Sequence, residues 1–156
     1  AHTDINTFES SPSKSVHGMP VSFLLDDPRD ITGEKVPSEY QWCRKNLLHP
    51  SRLAYIGIRQ ADSAEMETVR KLNISAFDMA TIDRIGIHEC ITTALKKLDP
   101  SFSKPIHVSF DIDSMDPSLI SCTGTPGTYM TVPNIFSKRR LNDERNIIHC
   151  GIDSQY

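Results

Sequence analysis

No stretch of this chain approaches the roughly 18 consecutive apolar residues that a membrane-spanning helix needs. Cysteine is scarce: Cys43, Cys90, Cys122 and Cys150 form no C-x-x-C pair, which argues against a structural zinc knuckle. Internal repeats, low-complexity stretches and a signal-peptide pattern are all absent. Reduced thiols in a cytoplasmic setting are therefore the expectation. The chain opens at Ala1 rather than Met, which leaves a mitochondrial location open and favours a fragment of a longer protein. Excess positive charge is lacking too. The net charge is -3 and the pI about 6.1, with only Lys138-Arg139-Arg140 clustered among the basic residues. That balance argues against non-specific nucleic-acid binding. What remains is an ordinary globular composition, 38% hydrophobic and 24% charged over 156 residues, which suits one domain.

The hydrophobic pattern alternates between strand and helix periods. Residues 6–18 are rich in Ser, Thr and Pro and read as a loop, Pro20–Leu25 as a short helix, and 26–39 as a surface loop. Leu53–Ile58 is a continuous apolar run of strand length, suited to a parallel strand covered on both faces. Asp62 stands three residues before Glu65, the spacing of a capping box, and opens a helix to about Leu72 with Met66, Val69 and Leu72 on one face. Ser75–Met79 reads as a second strand. Thr81–Leu98 reads as one amphipathic helix, with Ile82, Ile85, Ile91, Leu95 and Leu98 at helical spacing. Ile106–Ile112 reads as a third strand, and Ile147–Ile152 as a possible short one. The β-α-β-α-β order predicts an α/β fold, a three-layer αβα arrangement with a mainly parallel sheet and right-handed crossovers. Ligands in such sheets bind beyond the carboxyl ends of the strands.

Two segments carry chemistry at such ends. In Ser109-Phe-Asp-Ile-Asp-Ser-Met-Asp-Pro117, strand alternation points Asp111 and Asp113 the same way, and Ile106, Val108, Phe110 and Ile112 into apolar packing. Paired carboxylates repel each other, and a divalent cation such as Mg²⁺ or Mn²⁺ resolves the repulsion. Alternatively, the two carboxylates cap the next turn and face water. In the opening segment, His2 and Asp4 have the same i, i+2 spacing and can face one metal if the chain is extended. The imidazole nitrogen shifts preference from Mg²⁺ toward Mn²⁺ or a later transition metal. A solvated N-terminal tail is the competing reading there. One His and three Asp at two loop ends supply the ligand types of a two-metal hydrolytic centre.

Five runs in order and spacing resemble the ureohydrolase family, and within it the arginases. They are Ala1-His-Thr-Asp-Ile-Asn-Thr7, His17-Gly-Met-Pro-Val-Ser-Phe-Leu-Leu25, Tyr55-Ile-Gly-Ile-Arg59, Ser109 to Pro117, and Thr123-Gly-Thr-Pro126. The resemblance covers residues 1–126, a partial arginase-like catalytic domain with a truncated arginase-like fold. Residues 127–156 read as a divergent tail. It implies two Mn²⁺ per complete site and hydrolysis of the L-arginine guanidinium to L-ornithine and urea by a metal-bridged hydroxide. The positions matching the metal ligands are His2, Asp4, Asp111 and Asp113. His17 matches a proton shuttle to the leaving amine, a role that an imidazole suits. Asn6, Ser13, Asp62 and Glu65 match the end that reads the amino acid, and Thr125 matches the guanidinium end. No motif supports His49, His88, His107 or His149, which read as structural or solvated.

The sequence departs from the family pattern in three places. The bridging Asp expected before Ala1 and a further His ligand upstream lie outside this sequence. Gln60 stands where arginases usually carry an Asp that helps read the α-amino group. No counterpart of a guanidinium-contacting Glu follows Pro126. An agmatinase-like ureohydrolase and a non-catalytic arginase-like protein therefore remain alternatives. The family's homotrimer is not carried onto this chain. A sheet without its first strands exposes apolar edges, so the chain alone is expected to be unstable or aggregation-prone.

Overall fold

The computed structural model describes residues 2–26, 36–45, 47–115 and the backbone of strand 146–150. The Lys138-Arg139-Arg140 cluster and the rest of the tail apart from 146–150 lie outside the described residues, as does Thr125. Four parallel strands form one sheet: β1 (Leu53–Ile58), β2 (Ser75–Asp78), β3 (Ile106–Phe110) and β4 (Asn146–Cys150), in the order β2-β1-β4-β3. The helices are α1 (Pro20–Leu24), α2 (Ser63–Lys71), α3 (Met79–Ile85) and α4 (Ile87–Leu98). A 3₁₀ segment over Ser38–Lys45, unforeseen in the sequence reading, lies before β1.

All six residues of β1 are buried, as a continuous apolar run implies. Its side chains enter two cores, alternating until the ladder shifts at Gly57. Leu53, Tyr55 and Ile58 join Ile5, Val21 of α1 and Val69 of α2 on one face. Ala54 and Ile56 join Ile82 of α3 with Cys90 and Ala94 of α4 on the other. These cores make the three layers of an αβα fold.

Asp62 and Glu65 form the expected capping box at α2: Glu65 N–H donates to Asp62 Oδ1 (2.9 Å) and Asp62 N–H to Glu65 Oε2 (2.9 Å). The single helix expected over Thr81–Leu98 is instead two. Gly86 separates them at φ 83° and ψ 151°, a conformation almost confined to glycine. Its carbonyl still accepts from Cys90 N–H at 3.2 Å, so α4 starts immediately after the break. An added Cβ at Gly86 meets nothing within 4 Å, so Gly86→Ala isolates the backbone cost. We expect that variant to lose about 2 kcal/mol in urea unfolding. The strand expected to reach Met79 ends at Asp78, whose side chain accepts from Thr81 N–H (2.8 Å) and caps α3.

The strand expected over Ile106–Ile112 ends at Phe110, and a 3₁₀ turn follows at Ile112–Ser114. Ile106 packs on the α3–α4 core, but Val108 (50% exposed), Phe110 (39%) and Ile112 (40%) do not enter apolar packing as expected. β3 is the outer strand, and among the described residues no strand covers its far edge. Exposed apolar residues beside an open edge are an association hazard.

Asp99 closes the turn after α4. Its carboxylate accepts from Lys104 N–H (2.7 Å), Ser101 Oγ (2.7 Å) and Ser101 N–H (3.3 Å). Those bonds, the Lys104 amide foremost, lower the Asp99 pKa from its ordinary 3.8, and the Thr81 cap lowers that of Asp78. A carboxylate with a lowered folded pKa adds stability that is present above 3.8 and lost as pH falls through the lowered value. The acid limb of the stability curve below pH 3.8 is expected to flatten in Asp99→Ala, as read by thermal melts across that limb.

Candidate metal centre

The carboxyl end of β3 leads directly into the site. Asp111 caps the 3₁₀ turn: its Oδ1 accepts from Asp113 N–H (2.8 Å), and its carbonyl accepts from Ser114 Oγ (2.6 Å) and N–H (3.2 Å). This tight turn, rather than strand alternation, turns Asp111 and Asp113 into one place. Both are buried, at 2% and 1% exposure. His2 joins them: one ligand atom from each of the three lies within 4.8 Å of the other two.

Asp111 Oδ1 is fixed by the turn, while Asp111 Oδ2 is buried and accepts no hydrogen bond. A buried carboxylate oxygen without a donor is costly unless a cation meets it. Burial raises the Asp111 pKa first of all, and the Asp113 charge adds to the rise. Two carboxylates and one imidazole form a hard-oxygen and nitrogen donor set of the kind that divalent cations take. The donors present therefore fit a divalent metal.

Asp4 is buried but stands outside this group of three. The extended segment expected around it is interrupted, because Asp4 has φ 51°, in the left-handed region. Its carbonyl accepts from Val21 N–H (3.0 Å), which ties the segment to α1. Asn6 N–H donates to Gly18 O (3.0 Å), tying it also to the 3₁₀ turn Val16–Gly18 that carries His17. His17 is exposed. Ser13 is exposed on the preceding loop, where its hydroxyl accepts from Ser15 N–H (3.2 Å).

The amino-acid end is joined by side-chain bonds. Asn6 Nδ2 donates to Asp62 Oδ2 (3.0 Å), and Ser10 Oγ donates to Asn6 Oδ1 (2.9 Å). Glu65 is buried, with Oε1 accepting from Thr3 Oγ1 (2.7 Å) and Oε2 from Asp62 N–H. Tyr55, fully buried in β1, donates its hydroxyl to Thr3 O (2.8 Å). Burial drives the Tyr55 pKa well above its ordinary 10.0, with Asp4 and Glu65 adding to the rise. Sequence reasoning missed Thr3, Ser10 and Tyr55. A tyrosine inside an apolar strand was the available signal, since a buried phenol needs a partner.

Gly57 lets the end of β1 pass close to this site. Its φ is +80°, the ladder to β2 shifts between Ile56 and Ile58, and an added Cβ would lie 3.9 Å from the Ser114 side chain. Among the residues expected to be structural or solvated, His49 caps its own 3₁₀ turn by accepting from Ser51 N–H, and His88 and His107 are exposed.

A parallel αβα sheet with a His–Asp–Asp group beyond its strand ends defines an α/β domain of the kind that binds ligands at that edge. The Arginase family profile matches residues 1–133. The chain belongs to the arginase family. It is 40% identical over 152 residues to arginase from Saccharomyces cerevisiae, covering 95% of this chain and 45% of that protein. The solved cold-adapted arginase from the psychrophilic yeast Glaciozyma antarctica is 40% identical, with a TM-score of 0.63, over 76% of this chain and 40% of that one. The solved Entamoeba histolytica arginase, in complex with L-ornithine, is 26% identical, with a TM-score of 0.70, over 96% and 49% of the two chains. The chain spans less than half the length of the curated relatives it matches.

Proposed function

We propose that this chain carries part of a manganese-dependent site for hydrolysing the guanidinium of L-arginine to L-ornithine and urea. The observation that carries the reading is the convergence of His2, Asp111 and Asp113, with Asp111 Oδ2 buried and unbonded, in an arginase-family fold. His2, Asp111 and Asp113 would hold the metal, and Asp4, outside that group of three, would be a further ligand. When bound, such a metal supplies a water acidic enough to be a nucleophile near neutral pH.

The chain's own residues supply positioning. Asp62 is a carboxylate acceptor for the substrate's α-ammonium group, oriented by Asn6 and by the amide of Glu65. Its charge serves at once as helix cap and as ligand. Asn6, Ser13 and Glu65 would line the same end, and Thr125 the guanidinium end. His17 would pass a proton to the leaving amine, its turn pinned to the ligand segment through Asn6 and Gly18. The L-ornithine held by the Entamoeba histolytica relative has the product chemistry this reading requires.

Gln60 leaves a second reading on substrate open. It supplies no charge toward an α-amino group, so a preference for L-arginine is not secured at this position, and agmatine, which keeps the amine but lacks the α-carboxylate, is a competitor. Urea release by the Mn²⁺-loaded protein, measured with L-arginine and with agmatine, decides between them. Faster turnover of L-arginine supports the first reading; turnover of agmatine alone establishes the second. No metal-dependent urea from either substrate rejects both and favours a non-catalytic family member.

A further inference from the structure

We propose that Thr3 is a positioning residue: its buried hydrogen bond to Glu65 holds the metal-ligand segment against the N-terminus of α2. This rests on the metal reading above. Thr3 lies between His2 and Asp4 and is fully buried. It is held twice, from two elements of the fold. Its hydroxyl donates to Glu65 Oε1 at 2.7 Å, a bond to a buried carboxylate, and its carbonyl accepts from Tyr55 Oη of β1 at 2.8 Å.

Glu65 is itself held at both carboxylate oxygens. Its second oxygen closes the capping box with Asp62, whose far oxygen accepts from Asn6. The result is a closed ring. The chain leaves Thr3, passes Asp4 and Ile5 to Asn6, crosses to Asp62, and returns through Glu65 to Thr3. Asp4 adopts φ 51° inside that ring. A non-glycine residue in this region persists where its surroundings over-determine it. The ring supplies those surroundings, so it fixes the backbone on both sides of Asp4 and sets where His2 stands. Groups that orient ligands without touching the metal change metal affinity by about 10–100-fold when removed.

The test is Mn²⁺ binding to the full chain, followed by the paramagnetic resonance signal of free Mn²⁺. Thr3→Val keeps the shape and removes the hydroxyl; Thr3→Ser keeps the hydroxyl. Thr3→Val is expected to weaken Mn²⁺ binding about tenfold or more. Thr3→Ser is expected to stay within about threefold of wild type, a rescue that loss of packing would not produce. Tyr55→Phe keeps the core filled and removes the second anchor, so it decides the matter if Thr3→Val fails to fold. It is expected to weaken binding by a smaller factor than Thr3→Val. Amide exchange over residues 2–7 should quicken in both. Wild-type affinity and wild-type exchange in folded Thr3→Val and Tyr55→Phe would overturn the proposal. A wild-type chain that takes up no Mn²⁺ would instead overturn the metal reading, and this inference with it.

Discussion

Asp111→Asn is expected to abolish divalent-metal binding while stabilising the metal-free chain. The two effects have one cause. Asp111 and Asp113 are both buried, one oxygen of Asp111 accepts no hydrogen bond, and burial already pushes the Asp111 pKa upward. Two such carboxylates are a cost to the empty fold and a benefit only when a cation is present. The amide keeps an oxygen for the Asp113 N–H, so the turn survives, but it removes the charge. Mn²⁺ affinity should fall by roughly a hundredfold or more, beyond the range for groups that merely orient ligands. The melting temperature of the metal-free chain should rise, by the equivalent of about 1 kcal/mol. Calorimetric melts with and without Mn²⁺ read both effects. A fall in metal-free stability with unchanged Mn²⁺ affinity would show that Asp111 is a turn cap and nothing more.

Removal of residues 146–156 is expected to end cooperative folding. β4 pairs with β1 through Leu53, Ala54 and Tyr55, and with β3 along all five residues from Ile106 to Phe110. It is the element that joins the two halves of the sheet, since β1 and β3 each pair with it rather than with each other. Without it β3 has no strand neighbour among the described residues, and the Asp111–Asp113 turn at its end loses its register against β1. His2 is tied to the β1 side through the Thr3–Tyr55 bond, so the group of three comes apart along this seam. Urea unfolding followed by circular dichroism should lose its sigmoidal transition, and Mn²⁺ binding should disappear with it. An unchanged midpoint in the shortened chain would mean that β3 is held by other contacts.

The parts legible in the sequence were local. The capping box at Asp62 and Glu65 is a spacing of three, and the buried run of β1 is a composition; both appear in the structure as read. The αβα arrangement followed from their alternation. The break at Gly86 was not legible from periodicity, because Ile82, Ile85, Ile91, Leu95 and Leu98 keep a helical beat across it. The φ and ψ of one glycine decided it. Asp111 and Asp113 were identified as a pair through strand alternation, but the strand stops before them and a 3₁₀ turn brings them together. The Thr3–Glu65 bond joins residues 62 positions apart, so no local pattern could announce it. The strand near Ile147 was visible as an apolar run, whereas its place between β1 and β3 depends on pairings that hydrophobicity does not encode.

The most direct measurement is a Mn²⁺ titration of the wild-type chain beside His2→Ala and Asp111→Asn, following free Mn²⁺ by paramagnetic resonance. A centre built by these residues takes up Mn²⁺ in the wild type and loses that uptake in both variants while they remain folded. Mn²⁺ uptake that is absent from the wild type, or equal in all three chains, would contradict it.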